Sequence, residues 1–172
     1  MKKIDWENVK ANEDSERLPA GGYEVEIKAV KDEPSKEYLY IEYDIAEGDF
    51  RNYYKDLEER LGFWGGKMYR SYKESAQGMF KGFLNAVIES NKGFVWDDDE
   101  KKLVGACVGL VLSEEEYIGN DGSKKTRLYV SAVKPIADIR AGKFKVREKK
   151  LLKEEPATAA DSFEAVNADS PF

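Results

Sequence analysis

The sequence predicts a mainly β (α+β) fold of five strands and one helix, in the order β-β-β-α-β-β. Three observations predict it. Apolar and polar residues alternate along several short stretches, the period of half-buried strands. One stretch, beginning after residue 71, changes to helical spacing. Turn clusters such as Gly119-Asn120-Asp121-Gly122 punctuate the alternating stretches.

Residues 1–20 are polar and mixed, which suggests a docked arm or short helix ahead of Pro19, with Trp6 and Val9 as its anchors. Gly21-Gly22 opens the first strand, in which Tyr23, Val25, Ile27 and Ala29 alternate with Glu24, Glu26 and Lys28. Pro34-Ser35 turns the chain into a second strand over about 37–46. There Leu39, Ile41, Tyr43 and Ile45 share the core face, and Tyr38, Tyr40, Glu42 and Asp44 share the other. After Glu47-Gly48-Asp49, the alternation of Phe50, Asn52 and Tyr54 against Arg51, Tyr53 and Lys55 reads as a third strand over 50–57. Residues 58–70 read as an aromatic loop around Gly62-Phe63-Trp64-Gly65-Gly66.

Phe80, Phe83, Leu84, Val87 and Ile88, preceded by Ala76 and Met79, recur at helical spacing. Asn91 and Gly93 suit the helix end. A connector through Trp96 leads to a fourth strand over 103–117. Its first part is apolar throughout, so it belongs in the middle of the sheet, with Gly105 and Gly109 where the sheet coils. The hairpin at 119–122 feeds a fifth strand in which Thr126, Leu128, Val130 and Ala132 alternate with Arg127, Tyr129 and Ser131, ended by Pro135. Residues 136–153 form a basic extension, a short helix followed by an extended arm. Residues 154–172, rich in Pro, Ala, Ser, Asp and Glu, are expected to be a disordered acidic tail. The element order is that of a five-stranded, OB-like Greek-key barrel over residues 21–135, with one helix between strands 3 and 4.

Composition narrows the chemistry. Histidine is absent and cysteine occurs once, as Cys107. This removes His-dependent nucleophilic triads, His-ligated zinc, iron–sulfur clusters and intrachain disulfides. The reading is therefore a non-catalytic protein without cofactor or metal, in a reducing, cytoplasmic compartment. The start of the chain has no signal-peptide h-region and no apolar run spans a membrane. The net charge is −6 from 28 Lys and Arg against 34 Asp and Glu. Five of the acidic residues lie in 154–172, which has no cation, so the body is nearly neutral. Within the body, 124–153 is strongly basic. A basic third and an acidic tail suggest a polyanion partner and a tail that competes with it.

Aromatic residues make up 12% of the chain, and ten of them are Tyr, more than a core of this size requires. Tyr38, Tyr40, Tyr53, Trp64 and Tyr129 lie on expected wet faces or in the glycine-rich loop, as stacking rings. Arg51, Lys55, Lys67, Arg70, Lys124, Lys125 and Arg127 lie near them, as phosphate contacts. Rings beside cations suit a single-stranded nucleic acid, whose bases stack while its phosphates pair. Asp97-Asp98-Asp99-Glu100 reads as a solvated turn because adjacent carboxylates do not converge on one ion. The segment 119–126 lacks the pattern of a phosphate loop.

The chain ends Asp169-Ser170-Pro171-Phe172. This ending resembles the partner-recruiting tip of bacterial and phage single-stranded-DNA-binding proteins, although the run of Asp usual before that tip is reduced here to Asp169. The segments 81–96, opening Lys81-Gly82-Phe83, and 108–127, opening Val108-Gly109, resemble a family of phage replication-module proteins. The resemblance implies an OB barrel that coats single-stranded DNA without sequence preference. It also implies a tail (Asp169, Pro171, Phe172) that recruits replication and recombination proteins in the cytoplasm, that of the host cell if the protein is phage-encoded. Two other classes stay open: a protein-interaction adaptor or inhibitor that binds no nucleic acid, and a carboxylate-based metal-dependent nuclease.

Overall fold

The computed structural model describes residues 1–7 and 17–153. The elements are β1 (Gly21–Glu33), β2 (Tyr38–Ile45), α1 (Tyr53–Leu61), β3 (Lys67–Ser71), α2 (Gln77–Ser90), β4 (Cys107–Ile118), β5 (Lys124–Lys134) and the single turn α3 (Ile136–Arg140). The five strands form one sheet in the order β3-β2-β1-β4-β5, with every neighbouring pair antiparallel and with β3 and β5 at the edges. As expected, the fold is mainly β, with a helix between the third and fourth strands.

The alternation of the first two strands translates directly into burial. Val25 and Ile27 of β1 and Leu39, Ile41, Tyr43 and Ile45 of β2 are buried. A bulge between Ile27 and Ala29 moves the inward position from Ala29 to Val30, which packs on the core. The apolar run of β4 lies between β1 and β5, with Val108, Leu110 and Leu112 buried. α2 lays Phe83, Leu84, Ala86 and Val87 onto this core, each large side chain contributing about 1.5–3 kcal/mol. Asn91 ties the helix end to β4: its Nδ2 donates to Val87 O and Cys107 O, and its Oδ1 accepts from Cys107 N.

Several expectations need correction. Residues 50–57 are not a strand; Tyr53–Leu61 is α1, and the third strand is Lys67–Ser71, inside the segment read as a loop. The cause lies outside the segment. Asp44, 1% exposed on β2, accepts the N–H groups of Tyr54 and Lys55 and so supplies the cap that the α1 N-terminus needs. Asn52, in the left-handed region, starts the turn. Asp44, expected on the wet face of β2, is therefore buried. The fourth strand begins at Cys107 after a 3₁₀ turn over Glu100–Leu103. Trp6, expected as an anchor, is 62% exposed; among the described residues ahead of β1, Leu18 is the buried one, at 5%. Val9 and the whole of 154–172 lie outside the described residues.

The basic extension does form a short helix and an extended arm. Phe144 of the arm packs where Gly22 has no side chain, and a Cβ there would collide with the ring. Further on, the arm runs parallel to β4: Glu116 N donates to Lys150 O and Lys150 N to Glu114 O. No described helix is long and apolar enough to cross a membrane.

Candidate functional site

The two edge strands, β3 and β5, face each other across a groove of about 860 Å³. Its lining combines rings (Tyr43, Tyr53, Tyr54, Phe63, Tyr69, Tyr129) with the cations Arg17, Lys67, Arg70 and Arg127, against one carboxylate, Glu115. Five of the residues singled out from sequence therefore converge here: Tyr53, Lys67, Arg70, Arg127 and Tyr129.

The floor is built from β2, α1 and β3. Tyr43 of β2 meets Tyr54 of α1 edge to face, with ring centroids 5.6 Å apart. Burial pushes the Tyr43 phenol up to about 12 and the Tyr54 phenol higher still, so both stay neutral. Gly66 enters β3 so close to Tyr43 O and the Tyr54 ring that any Cβ would clash. Arg70 stands opposite Leu39 in the β2–β3 register and so faces inward rather than out to solvent. Its guanidinium lies 6.0 Å from the Phe83 ring centroid, its Nε is buried without an acceptor among the described residues, and burial lowers its pKa. A guanidinium stays charged under such a shift, so a partly desolvated positive charge sits at the groove floor.

Tyr69 joins this groove to the outer face of the sheet. It is 54% exposed, and its ring centroid lies 5.1 Å from Tyr38 and 5.4 Å from Tyr40. Tyr40 pairs with Tyr69 across the β2–β3 ladder and Glu42 pairs with Lys67, so three rings and a lysine share one face. Burial, with a hydrogen bond from Tyr40 Oη to Glu42, pushes the Tyr40 phenol up to about 12. Tyr69 lies on a strand so short that the polar-apolar alternation of Lys67-Met68-Tyr69 is its one local signal, and the glycines before it favour a loop.

The remaining sequence candidates are dispersed. Trp64 packs on the core and donates its indole N–H to Tyr43 O and Gly66 O, which makes it a strap for the β3 entry. Arg51 and Lys55 are exposed at the start of α1, and neither lines the groove. Lys124 pairs with Glu116 at 3.0 Å, Lys125 with Asp121 at 3.7 Å, and Arg127 with Glu115 at 2.9 Å. Acidic neighbours thus offset part of the basic stretch. Arg127 also lies over the Tyr117 ring, and Lys150 covers Tyr129 at 4.4 Å. Asp169, Pro171 and Phe172 lie outside the described residues. No family model matches the chain, and no curated protein matches it.

Of the carboxylates at 97–100, Asp97 is bonded to Lys102, Asp98 accepts from the Trp96 indole and Asp99 caps the following 3₁₀ turn. Cys107 is half-buried, and burial raises its thiol pKa, the state of an inert packing residue.

Proposed function

We propose that the protein binds single-stranded DNA without sequence preference and coats it during replication or recombination. The observation that carries the reading is the continuous surface from the Tyr38–Tyr40–Tyr69 cluster, past Lys67, into the groove lined by Arg17, Arg70 and Arg127. Rings offer faces to bases of any identity, and cations track the phosphates. The strand order supports it. With α2 between β3 and β4, the order β3-β2-β1-β4-β5 is that of a Greek-key OB barrel parted between β3 and β5. In that fold the face of strands 2 and 3 and the loops 1–2 and 4–5 hold oligonucleotides. Lys124 and Lys125 stand at the 4–5 loop. The tail tip Asp169, Pro171 and Phe172 recruits partner proteins in this reading, on the strength of the resemblance alone.

Titration with fluorescent oligo-dT at two salt concentrations tests the proposal. Tight binding at low salt that falls steeply with salt is expected; no binding at low salt refutes it. Removal of residues 154–172 should tighten binding if the acidic tail competes for the groove. The ion pairs of Lys124, Lys125 and Arg127 favour the second reading, a protein-interaction adaptor. That reading predicts no affinity for oligo-dT and a stable protein complex in pull-downs.

A further inference from the structure

A second depression, about 660 Å³, shares no lining residue with the groove. One wall is a flank of α2, where Phe80, Leu84 and Ile88 recur at i, i+4 and i+8. Trp96 forms the other wall, its ring centroid 6.3 Å from Phe80, and Tyr72 closes one end at 6.2 Å from the same ring. Carboxylates hold the polar ends of both rings. Trp96 Nε1 donates to Asp98 Oδ1 at 3.1 Å, and Tyr72 Oη donates to Asp32 Oδ1 at 2.8 Å. The rings are thereby fixed as walls. The pocket stays partly uncovered: Ile88 is 42% exposed, and the same two segments expose Met79 at 73% and Val95 at 70%.

The charge around this apolar pocket is one-sided. Asp32, Asp98 and Glu100 stand at its rim, against Lys81 alone. Such a rim repels phosphates, so the pocket is no continuation of a nucleic-acid path. It complements a positive charge carried beside a bulky apolar side chain. We infer that the pocket docks a cationic, apolar segment of a partner protein. A Leu, Ile, Met or aromatic side chain fills the space between Phe80, Ile88 and Trp96, and an adjacent Lys or Arg meets the rim carboxylates. The inference does not depend on the nucleic-acid reading, because the two surfaces can be occupied together.

The test is selection of a displayed library of short random peptides on the full-length protein, followed by titration of the recovered peptides. Recovered sequences should pair Lys or Arg with a bulky apolar residue. Glu100→Lys should weaken them about tenfold and Ile88→Asp further still, while Lys81→Glu tightens them. Thermal unfolding and oligo-dT affinity should not change in these variants. If Ile88→Asp lowers the melting temperature, the charge variants Glu100→Lys and Lys81→Glu decide, since they act in opposite directions. Recovery of acidic peptides or of none, or binding that survives Glu100→Lys and Ile88→Asp, overturns the inference. So does sedimentation showing a dimer that Ile88→Asp dissociates. That result would place a second copy in the pocket, for which the exposed Lys2-Lys3-Ile4 segment has suitable chemistry.

Discussion

Tyr69 and Lys67 sit two residues apart on β3 and point to the same face, yet the proposed function requires that they fail differently when removed. Tyr69→Ala deletes the middle ring of the tyrosine cluster, whose neighbours stand 5.1 and 5.4 Å away. One stacked base is worth about 1–3 kcal/mol, so affinity should fall about five- to 150-fold. The loss should be similar at every salt concentration, because no charge is removed. Tyr69→Phe keeps the ring and should bind like the parent. Lys67→Ala removes a cation for which no ion pair is formed among the described residues. The slope of log affinity against log salt should become shallower by about 0.7, the share of one phosphate on a single strand. A fourfold rise in salt should then cost the variant about two- to threefold less affinity than the parent. Fluorescence anisotropy with labelled oligo-dT at about 50 and 200 mM salt reads both effects, with thermal unfolding as the control for folding. Parallel slopes for Lys67→Ala and the parent, or a Tyr69→Ala variant that is folded and binds as tightly as the parent, would refute the placement of DNA on this face.

Asp44→Ala should destabilise the fold by about 2–4 kcal/mol in urea unfolding, because the first turn of α1 loses its buried acceptor and leaves N–H groups unpaired. Its oligo-dT affinity should fall only in proportion to the unfolded fraction. Trp64→Phe should cost about 1 kcal/mol from the lost indole hydrogen bonds and leave oligo-dT affinity unchanged, since the ring serves the β3 entry. A large affinity loss there would restore Trp64 to the binding surface. Lys124, through its hydrogen bond, and then the Leu152 N–H hold the Glu116 carboxyl below the ordinary glutamate range. The attachment of the arm to β4 should therefore be complete above the unfolded carboxyl value of about 4.3 and loosen as pH falls through the lower folded value. The NMR protection factor of the Leu152 amide, corrected for the pH dependence of intrinsic exchange, should fall over that acid range and no higher.

Local periodicity was enough wherever an element makes its own case. The period-two stretches around Val25, Leu39 and Leu128, the helical spacing of Phe83, Leu84 and Val87, and the turn at 119–122 each carry their pattern within a few neighbours. The segment 50–57 did not, because alternation of aromatic and polar residues suits a strand and an amphipathic turn of helix equally. An acceptor on another element decides between them.

Legible in the chain alone were a mainly β fold, a helix between its third and fourth strands, and more tyrosines and cations than a core needs. Strand pairing decided what those residues became. It set Tyr69 between Tyr38 and Tyr40, turned Arg70 inward to a groove floor, drew Trp64 into the core wall and laid the basic arm along β4. The difference is one of range. Burial periodicity acts between residues a few positions apart, whereas a shared surface depends on which edges meet, and that is settled by register and packing across tens of residues.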